Sequence, residues 1–506
     1  MPDHSGGEGL FGGIFGRRPA GGAWAVDDAA WLQALLDAEA GLARAVERAG
    51  LAPAGAGAAV TEAAQAANFD VGRLGELAAL TGNPVPGLAR ELARGVPRTA
   101  TRAVHRGATS QDIMDTAAML LARRVIDTVL AALGEAADAA ANLAATHRDT
   151  IMIGRTLLQQ AVPVTFGLVA AGWLSGLDEA RAGLEHVRKQ RLAVQFGGAA
   201  GTLASLGEDG PRVTALFAEE LRLTQPSLPW HTDRLRIIDV GAALARAAAV
   251  LGKIARDVTL LAQSEVGELH EGSGNQGGGS APRRGGSSAM PHKNNPVAAV
   301  AVVGCARQVP GLLATLVASA EQEYQRAAGA WHAEWEPFTA LLRLTLSAAS
   351  WGTELLSGLV VDTARMAANL AATEGIPLAE HVASLLSGML GSAEEAHDLV
   401  AVASRRAMSA GLPLRDVLLG VPELADRLTA AGVTPEQVEA ALEPAGYLGA
   451  TGTFIDAALA AHDRASQDRA SQDRASHDGA SHDGASHDRA THDGAADESA
   501  EGSNGR

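Results

Sequence analysis

The sequence predicts an all-α protein built on a central bundle of long helices. Three observations carry this. Aromatic residues are only 3% of the 506 residues, with Phe 8 and Tyr 2, whereas sheet sandwiches and barrels draw heavily on aromatic and β-branched residues. Hydrophobic residues reach 47%, and alanine and leucine carry that content. Several long segments keep apolar residues at helical spacing without a break.

Taken in order, residues 1–22 are rich in glycine and are expected to be flexible. Residues 23–108 form an N-terminal helical domain of short pieces. In the first, Trp31, Leu35, Ala38 and Leu42 recur at helical spacing and Gly50 is a stop signal. Residues 109–360 form the central long-helix domain. Ile113, Ala117, Leu121, Val125, Val129 and Leu133 keep a spacing of four in one helix, and 163–195, 233–269, 297–326 and 336–360 are further long helices. At about 1.5 Å per residue they reach roughly 45–60 Å. One chain cannot easily cover such long faces of small residues, so the bundle is expected to continue across subunits. Residues 361–462 return to shorter helices, broken at Pro377, Pro413, Pro422 and Pro435. Residues 463–506 are a five-residue repeat of the form ASQDR and ASHDG, with no leucine, isoleucine, valine or aromatic residue. Such a tail cannot bury enough apolar surface to offset its ordering entropy and is expected to be disordered. Its evenly spaced His477, His482, His487 and His492 are open to metal, but the polar-tail reading is preferred.

The formal charge of −17 disfavours non-specific nucleic-acid or anionic-membrane partners, which need basic surface. The single cysteine, Cys305, excludes an intramolecular disulfide and fits a reducing compartment. It lies in the apolar run VAAVAVVGCARQV and reads as a packing residue rather than a nucleophile. The N-terminus has no signal-peptide pattern, and no stretch nears ~20 apolar residues free of charge. The expectation is a cytoplasmic protein without a membrane span.

Three polar clusters interrupt the helical pattern. In GGSSAMPHKNNP (285–296), Ser287 and Ser288 offer hydroxyls, Lys293 a charge and Asn295 an amide, and flanking glycines suit a loop that closes over a ligand. A plain surface linker is the alternative. In HRGATSQDIMDT (105–116), Thr109 and Ser110 precede a long helix. Ser110 is either its N-cap or part of a carboxylate site, since a helix N-terminus serves both. In GRTLLQQAVPVT (154–165), Arg155, Thr156, Gln159 and Gln160 sit between two long helices, as caps and bridges or as ligand contacts.

The segment GSSAMPHKNNP resembles the GSSxMPxKxNP signature of the fumarase/aspartase superfamily, and HRGATSQDIMDTA and GRTLLQQA resemble its two other characteristic regions, in the expected order. The resemblance covers roughly residues 23–460. It implies an all-helical homotetramer whose active sites each draw the three regions from different subunits, acting on a small carboxylate substrate through an aci-carboxylate, with no metal or organic cofactor. It further implies that Ser287 transfers the proton, that Lys293 and Asn295 bind substrate and stabilise the intermediate, and that Thr109, Ser110 and Gln159 hold carboxylates. Arg155, Thr156, Ser288 and His292 are further candidate contacts. His105 is a candidate catalytic assistant, although a structural role is equally open. His231, His332 and Glu334 lie in family-like blocks without an assigned role.

Two departures select within the family. Its lyases carry GRTHxQ where this chain has Leu157, and pair that histidine with a glutamate seven residues after the signature lysine, where this chain has Val300. The pair protonates poor leaving groups. A carboxylate, whose conjugate acid has a pKa of about 4, leaves or attacks without that help. The departures therefore point to intramolecular addition of a carboxylate to a conjugated double bond, forming a lactone. VQFGGAAGTLASLG, LPWHTDRLR, AWHAEWE and LEPAGYLG resemble the cycloisomerase branch that closes muconate tricarboxylates during aromatic degradation. An amine-releasing member, such as adenylosuccinate lyase, is the nearest rival, and a catalytically inactive structural tetramer the third reading.

Overall fold

The computed structural model describes residues 10–17, 26–272, 285–286, 290 and 293–490, without the side chains of 470 and 472–490. A one-turn helix, α1 (Gly12–Phe15), opens the described chain. It is docked: the Ile14 carbonyl accepts from Ser347 Oγ at 2.7 Å and Trp351 Nε1 at 3.1 Å, and the Arg17 guanidinium lies 3.7 Å above the Trp351 ring. For residues 10–17 the expected flexibility is thus corrected. Composition shows low propensity, but it does not show the distant donors that hold this backbone. Next comes α2 (Asp28–Arg48), capped by Asp27, whose carboxylate accepts the Ala30 N–H at 2.8 Å. Short helices α3 (Ala56–Ala63), α4 (Val71–Thr81) and α5 (Val85–Gly95) follow.

The central bundle begins with α6 (Ser110–Thr146), 37 residues and so about 55 Å long. All six of its residues at spacing four, from Ile113 to Leu133, are fully buried. Two strands, β1 (Ile151–Thr156) and β2 (Gln159–Thr165), form an antiparallel hairpin, then α7 (Phe166–Gln190), α8 (Gly210–Leu221) and α9 (Leu235–Leu261). Beyond α9, β3 (Leu269–Glu271) precedes α10 (Val297–Ala318), α11 (Ala330–Ala333), α12 (Trp335–Ser357) and β4 (Leu359–Val361), which pairs antiparallel with β3. Helix α6 packs on α7 and α12, and α9 packs on α10 and α12. Several expected helix ends are therefore strand: 163–165, 269 and 359–360 pair across short ladders, where cross-strand partners override a helical pattern.

By length and composition α10 would reach across a membrane: its most apolar window has mean hydropathy 1.6, and 33% of that window is buried. The charged Arg307 interrupts the run, and the helix packs against α9 and α12. Val300 and Val317 are among its exposed residues, and Cys305 is on its buried side. Burial pushes the Cys305 thiol up to about 11, against a weaker opposing hydrogen bond with Ser347.

Helices α13 (Thr363–Ala371), α14 (Ala379–Leu390), α15 (Ala393–Ala410), α16 (Leu414–Gly420), α17 (Pro422–Ala430) and α18 (Pro435–Ala441) come next. From α14 to α18 they gather a second, smaller core around Val382, Leu386, Leu399, Leu418 and Val438. The N-terminal helices, by contrast, share one core with the central bundle. Helix α19 (Thr451–Ala490) returns to pack on α6 and α7, and its buried His462 lies between Asp178, 2.9 Å from Nδ1, and Asp138, 3.1 Å from Nε2. This corrects the expectation of disorder from 463: the repeat stays helical to Ala490. The packed first turns remove the nucleation cost of the repeat helix. His492 lies outside the described residues, as do the side chains of His477, His482 and His487.

A thiol-specific reagent at pH 8 should label Cys305 at least roughly 10²-fold more slowly in the native protein than in the unfolded chain. Fast labelling of the folded protein would contradict this burial.

Candidate active site

The first cluster is built on the start of α6. Thr109 is the N-cap and Ser110 the first helical residue, so the cap belongs to Thr109 and not to Ser110. Both are half-buried. Asp112, fully buried, accepts the Thr109 N–H at 2.9 Å, the Gly197 and Gly198 N–H groups at 2.9 Å each, and lies 2.7 Å from His231 Nε2. One turn on, buried Asp115 takes Arg234 through two bonds of 2.8 and 2.9 Å and Trp331 Nε1 at 3.1 Å. Arg234 also grips Glu334, with Nη2 to Oε2 at 2.7 Å. Burial opposes the charge on Arg234, but Asp115 and Glu334 outweigh it and hold the guanidinium protonated. His231 and Glu334 thus acquire roles as buried braces. His332 is exposed and packs against Trp331 and Trp335, with ring centroids 5.2 and 4.6 Å apart.

His105 sits beside this helix start. Its Nδ1 is 2.6 Å from Glu39 Oε1, and its N–H donates to Glu39 Oε2 at 2.9 Å. Burial lowers the imidazole pKa, but Glu39, and further off Asp112, raise it above the ordinary value. Arg326, which the sequence reading missed, is half-buried here, its Nε donating to Gln111 Oε1 at 3.2 Å and its Nη2 to the Ala199 carbonyl at 3.2 Å. It lies 215 positions from Gln111, so spacing alone carries no signal for it.

The second cluster is the β1–β2 hairpin. Its ladder closes with Thr156 opposite Gln159, leaving a two-residue turn of Leu157 and Leu158 at φ +51° and +65°. Such turns favour Asn-Gly, and left-handed leucine costs about 1–2 kcal/mol per residue. The tip is also exposed: Leu157 shows 96% and Leu158 71% of its surface. Thr156, Gln159 and Gln160 are exposed beside it. Gly154 marks a register shift, where a Cβ would come within 2.6 Å of the Val162 carbonyl. Arg155 forms two bonds of 2.8 Å to buried Glu268, which also accepts from Asn369 Nδ2 at 2.7 Å. The Arg155 charge therefore already has a partner within the chain.

Of the third cluster, Ser287, Ser288 and His292 lie outside the described residues. The Asn295 N–H and Nδ2 both donate to the Gly285 carbonyl, at 2.8 and 3.1 Å. Gly285, at φ +79°, has no room for a Cβ, which would meet the Asn295 carbonyl oxygen at 2.4 Å. Lys293 is exposed, and Val300 on α10 is 57% exposed. The first amides of α10 are occupied: Glu271 accepts from Ala298 and Ala299 at 3.1 and 2.8 Å. Among the described residues no group of His, Cys, Asp and Glu is arranged to hold a metal.

The α6 cluster does not meet the other two within the chain. The first lies at the N-terminal end of α6. The hairpin starts five residues after Thr146, at its other end, about 55 Å away. Glu268 and Glu271, three residues apart, place the hairpin root and the start of α10 at that same far end.

Residues 30–311 match the family model described as lyase. The chain is 44% identical over 443 residues to the 3-carboxy-cis,cis-muconate cycloisomerase of Bradyrhizobium diazoefficiens, covering 87% of this chain and 95% of the relative. It is 45% identical over 452 residues to the nitrosuccinate lyase of Streptomyces davaonensis, covering 87% and 92%. Its fold matches the crystal structure of the 3-carboxy-cis,cis-muconate lactonizing enzyme from Pseudomonas putida with a TM-score of 0.81 and 40% identity, over 90% of this chain and 99% of that one.

Replacing the turn by Leu157→Asn with Leu158→Gly should raise unfolding stability by about 1–2 kcal/mol while lowering turnover. Denaturant unfolding and an activity assay on the same variant check both halves.

Proposed function

The chain belongs to the lyase family, here the fumarase/aspartase superfamily, and from that premise we propose that it is a cycloisomerase. It closes 3-carboxy-cis,cis-muconate into 4-carboxymuconolactone, a step of the protocatechuate branch of the β-ketoadipate pathway. The observation that carries this reading is the apolar hairpin tip, Leu157, together with Val300, where amine- and water-releasing relatives keep an acid. A carboxylate nucleophile has no use for that acid near neutral pH.

In the reaction, one substrate carboxylate oxygen bonds to the ring-closing carbon. The displaced π pair delocalises onto a second carboxylate as an aci-carboxylate, and the adjacent carbon takes a proton. Ser287, by its place in the signature, delivers that proton, with His105 as assistant. Lys293 and Asn295 hold the developing charge, and Thr109, Ser110, Thr156, Gln159, Ser288 and His292 contact the tricarboxylate. Arg155, neutralised by Glu268, shapes the hairpin root instead, and Arg326 is the cation that serves the α6 end. The separation along α6 supports an oligomer in which the α6 cluster of one copy meets the other clusters from another, and in this reading the oligomer is the family's homotetramer with shared sites. The enzyme is soluble and cytoplasmic in this reading.

A second reading is favoured by one relative. Nitrite, like a carboxylate, is the anion of a fairly strong acid, so elimination from nitrosuccinate also suits a site with leucine at 157 in place of the histidine. Two assays separate the readings. Loss of the conjugated-diene absorbance on mixing with 3-carboxymuconate is expected, and nitrite release from nitrosuccinate without diene loss would select the second. Adenylosuccinate, argininosuccinate and malate should not be cleaved. Ser287→Ala should lower lactonisation by at least about 10²-fold with the oligomer intact, whereas retained turnover would remove Ser287 from the chemistry.

A further inference from the structure

We infer that Glu39 is a positioning residue that holds His105 as the charged source of the proton that Ser287 passes to carbon, a task separate from the leaving-group acid absent at 157 and 300. The inference rests on the cycloisomerase reading.

Glu39 lies in the middle of α2, fully buried among Leu35, Leu36, Ala38 and Leu42. A carboxylate there is costly unless fully bonded. Both of its oxygens go to a single residue, one to the His105 backbone N–H and one to Nδ1. His105 is itself held at φ +54°, a region that non-glycine residues seldom occupy. A turn alone would be satisfied by glycine. What the clasp adds is a fixed ring: Nδ1 carries the proton shared with Glu39, and Nε2 is left as the nitrogen that exchanges. The ring is not sealed in, since the side chain keeps 26% of its surface. The charged groups that face it are Glu39 from α2 and Asp112 from α6, the latter already bonded to His231. Both carboxylates favour imidazolium.

The proton balance is simple. As the carboxylate oxygen bonds to the alkene carbon, the electron pair passes to the aci-carboxylate. Ser287 passes its hydroxyl proton to the adjacent carbon and takes the proton of His105 Nε2 in return. The ring is left neutral, with Nδ1–H still on Glu39, and solvent restores the Nε2 proton. Because the donor must be charged, activity should fall as pH rises through the raised His105 pKa. Loss of Glu39 should move that alkaline limb to lower pH. A histidine acting as base would instead show an acidic limb.

The test is the pH dependence of kcat and KM for the full-length oligomer with Glu39→Gln, Glu39→Asp, His105→Gln and the double variant that combines Glu39→Gln with His105→Gln. Glu39→Gln should lower kcat by roughly 10²-fold, with KM within a few-fold and the alkaline limb displaced downward. Glu39→Asp should recover part of both. In the His105→Gln background, Glu39→Gln should add little further loss, because Glu39 acts through the ring. An unmoved alkaline limb, or equal losses in both backgrounds, would overturn the inference, and Glu39→Asp carries the same comparison if Glu39→Gln does not fold. A wild-type protein inactive on 3-carboxymuconate would instead overturn the functional reading, and the profiles would then be measured on the substrate it does turn over.

Discussion

Two carboxylates in the first turns of α6, Asp112 and Asp115, fix everything around that end of the molecule. Buried charge is tolerated only when its bonding capacity is filled. Asp112 fills it with backbone amides from the 197–198 loop, a histidine from the 228–234 segment and its own cap. Asp115 fills it with Arg234 and Trp331. Segments more than two hundred residues apart are thereby locked to one turn of helix. The half-exposed Thr109 and Ser110 inherit their positions from that buried layer, and His105 beside them is held by Glu39. Hydroxyls and an imidazole at a helix start are common; it is the saturated carboxylates beneath that give these a fixed geometry.

How much of this was legible in the residues follows from the range of each interaction. The long helices were, because the Ile113-to-Leu133 stripe is a local pattern and one face is buried throughout. Thr109 and Ser110 were visible as residues at a helix start for the same reason. The Arg234–Asp115–Glu334 network was not, since its partners are 119 and 100 residues apart and nothing local marks them as pairs. The hairpin was hidden because Leu-Leu is a poor turn signal, and its strands follow a helix without a composition change. Arg155 looked like an open cation because Glu268 lies 113 positions away. The repeat tail misled in the opposite direction: its lack of apolar residues speaks to packing, not to whether a helix already begun will continue.

The relatives span two reaction types at nearly equal identity, a cycloisomerase and a nitrosuccinate lyase. The two readings proposed from them share one demand, an anion that attacks or departs without a proton. The exposed, strained leucine turn suits that shared demand better than it suits folding, where two left-handed leucines facing solvent cost stability. Strain of this kind persists where a function selects it.

The length of α6 has an evolutionary consequence. A helix about 55 Å long that separates one binding cluster from the other two acts as a spacer of fixed pitch. Inserting or deleting one residue would shift its ends by about 1.5 Å and rotate them by about 100°, displacing clusters that the proposed shared site needs in register. Descendants of this scaffold can therefore lengthen their loops or rewrite a two-residue turn, but not the spacer. New chemistries in such a lineage should arise at hairpin tips and loop edges, over an inherited frame of constant dimensions.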